Sequence, residues 1–305
     1  MNRLTEEQRI KVQEVMKDYN QNDFWVKIFK KFKTSPLTMN LLTLLIIFLL
    51  IFLTIFSPGM AGFALVTITI INLVFGSKKR NSQKAIKAEL FSDLIKTIYD
   101  TFEYTADSNI DSVEFSDSKL CKNYYDYFNG QDGISGIVKN NQVKISKLLA
   151  TQREKKGDTT VFNGVLVIVE CFIKFENEVI IVSDVFDKKR IFKNSNVPID
   201  KVDLENSEFE KIFDVFSDNQ IYARRILTLA YMEKLVEISK KINKQINLSF
   251  IDNKMYIAVE NMEIIPNSKL FNNIKGMSIE EIENSLNNIQ EIVDIIKFLN
   301  IEENF

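Results

Sequence analysis

The chain of 305 residues contains no histidine, which excludes every mechanism and every metal site that depends on an imidazole. Cysteine is almost as scarce. Cys121 and Cys171 are the only two, they form no CxxC pair, and without other ligands they cannot build a zinc site. One disulfide between them is formally open, but Cys171 lies in an apolar, strand-like run where a buried free thiol is the expectation, consistent with a reducing compartment. Charge is missing from one long stretch, since no Asp, Glu, Lys or Arg occurs between Lys33 and Lys78. A net charge of -2 and a pI near 5.6 give no general attraction for nucleic acid, and none is expected as a partner.

The overall composition, 46% hydrophobic and 26% charged with a mean hydropathy of -0.06, looks globular only because it averages that uncharged stretch with a hydrophilic remainder. Within the stretch, Leu37 to Phe56 and Met60 to Phe75 are apolar runs of the length that crosses a bilayer as helix, the second at the short end. Ser57, Pro58 and Gly59 separate them and favour reversal of the chain. Both flanks are basic: Lys27, Lys30, Lys31 and Lys33 before, Lys78, Lys79, Arg80, Lys84 and Lys87 after. The positive-inside rule then predicts a transmembrane hairpin with both termini in the cytoplasm. No ionisable residue falls within the spans, so a transporter acting alone is not expected.

Three regions are predicted: a basic amphipathic helix over 1–35, the hairpin over 36–77, and a cytoplasmic domain over 84–305. In the first, Phe24, Trp25, Ile28, Phe29 and Phe32 recur at helical spacing with Lys27, Lys30 and Lys31 between them. That stripe suits either the headgroup layer of an anionic bilayer or the surface of the chain's own domain.

In the third region a helical stripe runs over Ala85 to Phe102, and strand patterns follow at Ile134 to Lys139, Val143 to Leu149, Val161 to Phe175 and Val179 to Ser183. Glu176 and Asn177 read as the turn of a hairpin between the last two. Helices are predicted over Ser207 to Phe213 and over Gln220 to Ile242. A second hairpin is predicted from Asn247 to Val259, and a final helix, capped by Ser278, through Leu299. Strands followed by helices point to α+β with antiparallel strands.

Chemistry is hard to find. Gly130, Gly133 and Gly136 match no phosphate-binding loop and read as turn glycines. Ser116 to Lys119 matches SxxK without its companion motifs. The acids Asp200, Asp203, Glu205, Glu208, Glu210 and Asp214 match no EF-hand and read as a solvated helix entrance. Arg224 and Arg225 follow, and either an ion pair with Glu208 or Glu210 or a pocket for an anionic ligand would use them. No catalytic residue, metal or cofactor is expected. The final helix carries an apolar stripe from Ile282 to Leu299.

The order of a two-span hairpin followed by YFNGQDGISG, VFNGVLVIVE, SEFEKIFDVFSDNQIYARRILT and LSFIDNKMYIAV is similar to an uncharacterised bacterial two-span membrane-protein family catalogued as a domain of unknown function, number 3137. The family pattern has Tyr where Arg225 stands and Pro where Leu229 stands. The resemblance implies a bacterial inner-membrane protein with a cytoplasmic α+β domain, and it implies no activity or cofactor. The resulting expectation is a membrane-anchored cytoplasmic interaction or scaffold module with the lipid bilayer and an unidentified protein as partners. The alternatives are a histidine-independent enzyme using carboxylates or a bound metal, and an anionic-lipid-sensing protein.

Overall fold

The computed structural model describes residues 4–20, 88–120, 125–155, 157–183, 200–265 and 279–299. The predicted hairpin and the Phe24–Phe32 stripe lie outside these residues, as do Cys121 and Ser278. Among the described residues no helix is long and apolar enough to cross a membrane.

The elements run α1 (Glu6–Asn20), α2 (88–98), β1 (Glu103–Asp107), α3 (Ser112–Asp117), β2 (Tyr127–Val138), β3 (Asn141–Glu154), β4 (Gly157–Glu170) and β5 (Val179–Ser183). They continue with β6 (Asp200–Val202), α4 (Ser207–Glu210), β7 (Phe213–Ser217), α5 (Gln220–Ile226), α6 (Leu229–Ile242), β8 (Ile246–Ile251), β9 (Lys254–Glu260) and α7 (Ile279–Phe298). All nine strands join one sheet in the order β1-β2-β3-β4-β9-β8-β5-β7-β6, and every neighbouring pair is antiparallel. The α+β class read from the sequence is therefore correct.

Strand alternation sorts side chains onto two faces. Val165, Val167 and Val169 of β4, Ile257 and Val259 of β9, and Leu248 and Phe250 of β8 point to one face. There they meet α1, α2, α4, α5, α6 and α7 in the main core. Leu166, Ile168, Tyr256, Ala258, Ile180 and Phe216 point to the other, where a smaller cluster forms under α3. Both faces being covered, every residue of β5 and β8 is buried, including the polar Asn247 and Ser249 of β8.

The helical face explains α1. Its Leu4, Val12 and Met16 lie in the same core as Leu90, Phe91, Leu94 and Ile95 of α2, and Leu4 N–H donates to Asn287 Oδ1 of α7 at 3.0 Å. The chain thus enters this core before the uncharged stretch and re-enters it afterwards.

Several sequence expectations need correction. Val161 to Phe175 is not one strand paired with Val179 to Ser183, because β9 and β8 stand between β4 and β5. Residues 171–175 instead leave the sheet and wrap the β8–β9 turn, where Cys171 N–H donates to Asn253 O at 2.8 Å and Phe175 N–H to Asp252 O at 2.5 Å. Glu176 and Asn177 are part of that crossover. The helix at Ser207 stops at Glu210, capped by Asn206, and Phe213 opens strand β7. The long helix is two, since Leu227 leaves helical geometry and the Thr228 side chain caps α6. Gly130, Gly133 and Gly136 are not turn residues but lie inside β2. A Cβ on Gly133 would stand 2.7 Å from both Asn109 N and Asp107 O, so glycine there permits close approach of the backbone after β1. The β8–β9 hairpin, β5 and the apolar stripe of α7 stand where the sequence puts them, and Cys171 is buried as a free thiol.

Candidate interaction site

The short helix α3 is the lid of the second face, and its local chemistry is self-contained. Asp111 Oδ1 accepts from Val113 N–H at 2.8 Å and Glu114 N–H at 2.9 Å, while Glu114 Oε2 accepts from Asp111 N–H at 3.3 Å, completing a capping box. Phe115 then anchors the helix among Tyr125, Phe128 and Phe162, with ring centroids 5.4–5.7 Å away. The other oxygen of Glu114 accepts from Lys144 Nζ at 2.7 Å. One carboxylate therefore caps α3 and fixes a lysine of β3 below it.

Six residues of helix cannot cover a nine-stranded sheet, and beside α3 a half-open groove of about 240 Å³ crosses β1 to β4. Strand register builds its floor: Glu103 pairs with Ser135, Ser135 with Lys144, and Lys144 with Ile168. Ile137 and Glu170 line it one position further along, and Ile137 is 51% exposed. The charges are unequally engaged. Lys144 is held by Glu114, whereas Glu103 and Glu170 have no ion pair or side-chain hydrogen bond among the described residues. Among the described residues the groove therefore offers two free carboxylates beside a half-exposed isoleucine.

The arginines singled out in the sequence lie elsewhere, on α5. Tyr222, Ala223 and Ile226 turn into the core and leave Arg224 and Arg225 exposed. Arg224 Nε and Nη2 donate to Asp203 O at 3.3 and 3.2 Å. Arg225 lies over the Tyr222 ring, 4.8 Å from its centroid, and 4.0 Å from Glu176 Oε2. Glu208 pairs with Lys240 of α6, which holds its carboxyl below the usual range, and Glu210 Oε1 accepts from Leu204 N–H at 2.8 Å. Neither arginine pairs with Glu208 or Glu210, because α5 faces the loop after β6 and the crossover after β4 rather than α4. The acid run is dispersed in the same way, with Asp214 buried in β7 and bridged to Lys201 at 2.8 Å. Among the described residues no group of acids or cysteine is placed to hold a metal. Ser116 and Lys119 are also apart in function: Ser116 Oγ donates to Ser112 O, and Lys119 pairs with Glu178.

Sequence reasoning missed a buried polar trio on the helical face. Asp132 sits at a bulge in β2 with φ 56, fully buried, and accepts from the Tyr104 hydroxyl at 2.6 Å. Burial and this carboxylate push the Tyr104 hydroxyl far up. Lys147 is 6% exposed, donates to Met262 O at 2.9 Å, and has its pKa lowered by burial. The signal for Lys147 was present in the sequence. In VKISKLL the alternation through Val143 and Ile145 places Lys147 on the apolar side.

A single antiparallel sheet with its long helices gathered on one face defines an α+β domain. Residues 160–301 match the family model described as "Protein of unknown function (DUF3137)", and that stretch of the chain carries this domain. The match takes in most of β4 and everything to the end of α7, and leaves out α1, α2, α3 and the first three strands. No curated protein matches the chain. Its fold is similar to the crystal structure of the mycobacterial trehalose monomycolate transport factor A, TtfA, at a TM-score of 0.33 and 12% identity, over 65% of this chain and 88% of that one. A likeness at that score carries no argument about what this chain does.

Proposed function

We propose that the chain is a membrane-tethered interaction module that displays its α+β domain on the cytoplasmic face of a bacterial inner membrane to recruit other proteins. The observation that supports it best is the shared core of α1 and α2. Residues on either side of the uncharged stretch pack in one domain, so any membrane crossing between them has to be matched by a second that returns the chain. A pair of crossings by Leu37–Phe56 and Met60–Phe75 returns the chain to the side it left; a single crossing does not. The basic flanks make that side the cytoplasmic one. Lysines 27, 30 and 31, with Phe24, Trp25 and Phe29, would then lie at headgroup depth.

The test is extraction of the full chain from membranes at alkaline pH, followed by protease digestion of sealed vesicles. Retention in the membrane pellet, with the domain cut only in inside-out vesicles, is the expected result. Release of the chain into the supernatant, or digestion from the opposite side, would sink the reading.

A further inference from the structure

We propose that the groove across β1 to β4 is the docking site for an extended basic segment of a partner protein, with lysine or arginine at two positions four residues apart. This deepens the recruitment reading and rests on it for the existence of a protein partner.

The argument begins with the inequality of charge. In the ion pairs Lys119–Glu178, Lys201–Asp214 and Lys240–Glu208 an acid meets its base. In the groove the one lysine, Lys144, is already taken by Glu114 of α3, and among the described residues the carboxylates of Glu103 and Glu170 are left over. A ligand complementary to this surface brings cationic donors, because the charges left free in the groove are negative. Between the two acids the floor is mixed, with Ile137 half-exposed and Ile168 beside it among Ser135, Gln142 and Lys144. An isolated inorganic cation has no use for the exposed Ile137 side chain.

Geometry sets the spacing. Glu103 is on β1 and Glu170 on β4, three strand intervals across and two residues along, which together is about 16 Å and within reach of two long basic side chains. An extended chain advances about 13 Å in four residues, and side chains four apart project from the same side of it. A peptide crossing the strands can therefore set one cation at each glutamate while its middle residue, also on that side, rests on Ile137. The expected pattern is basic-x-apolar-x-basic. Lys144 disfavours a third cation in the middle.

The experiment uses the full chain in mild detergent and a fluorescent Lys-Ser-Leu-Ser-Lys peptide, read by anisotropy. Glu103→Gln and Glu170→Gln together keep side-chain size and are expected to weaken binding about tenfold, with unchanged thermal midpoint. Replacing the peptide's leucine by glycine should also weaken it, and Glu208→Gln, on the far side of the sheet, should not. Equal binding by the double variant, or equal binding of Glu-Ser-Leu-Ser-Glu, would overturn the proposal. So would displacement by spermidine combined with indifference to the leucine, which would make this a site for small polyamines. Membrane retention is read separately, so loss of peptide binding in a chain that stays in the bilayer removes the site and leaves the tether.

Discussion

The two faces of the one sheet are built to different standards. On the helical face six helices bury a continuous apolar layer, and the polar groups Tyr104, Asp132 and Lys147 that enter it are hydrogen-bonded there. On the other face a six-residue helix and the chain around it cover a smaller cluster, leaving strands β1 to β4 partly open beside Lys144 and Ile137. The same strands serve both faces, so the difference does not come from strand propensity. It comes from what the connections supply: among the described residues, long helices return over one face only. Stability is concentrated on that face, and the second face is left with surface to spare for contact with other molecules.

The largest expected effect tests the first half of this contrast. Phe250→Ala removes a ring packed 5.2 Å from Phe175 and 6.2 Å from Tyr231 and should cost about 3–5 kcal/mol, read as a fall in the urea midpoint of the full chain in detergent. Phe115→Ala removes the anchor of α3 on the opposite face. It should fall at the lower end of that range, about 3 kcal/mol, because water can enter from the groove as the site opens. Equal losses at the two positions would break the comparison.

Next comes Gly133→Ala, whose Cβ would crowd backbone atoms at Asp107 and Asn109 rather than a side chain that could swing away. A loss of about 1–3 kcal/mol is expected by the same titration.

Lys147→Met should leave stability within about 1 kcal/mol of the parent at pH 7, since it removes a buried ammonium while keeping the volume. The pH dependence carries a sign. Burial lowers the folded-state pKa of Lys147, whereas nearby Glu263 and Asp132 raise it and Lys244 lowers it further. Between that lowered value and 10.5 the unfolded chain binds the extra proton, so this group makes stability rise with pH across the window. Urea midpoints measured on the alkaline side should rise in the parent and lose that component in the variant; the same slope in both would refute the assignment. The smallest effect is Glu208→Gln, which breaks an exposed pair with Lys240 and should leave the thermal midpoint unchanged within error.

How much of this was legible in the sequence depended on the range of the interaction. The β8–β9 hairpin was legible because Asp252 and Asn253 close it locally, with Asp252 at φ 53. The α7 stripe was legible from helical period alone, and Cys171 from its apolar neighbours. The choice of partner for β5 was not legible. Its five apolar residues would suit any neighbour, and the crossover through Phe175 puts β8 and β7 beside it rather than β4. The site residues fared likewise. Arg224, Arg225, Glu208 and Glu210 stood out as charges close in sequence, yet the fold gives them separate partners, and the groove residues Glu103, Lys144 and Glu170 come from three strands with no shared motif.

What the sequence by itself determined is what local chemistry fixes: the α+β class, the turn at Asp252 and Asn253, the apolar periods and the absence of imidazole chemistry. The tertiary structure alone decided that α1 belongs to the same core as the helices after the uncharged stretch, and that three glycines serve close packing inside β2. It also decided that, among the described residues, two glutamates remain free beside a groove in the sheet face. Each of these depends on which distant segments pack together, and burial rewards such choices according to the whole fold rather than to any window of residues.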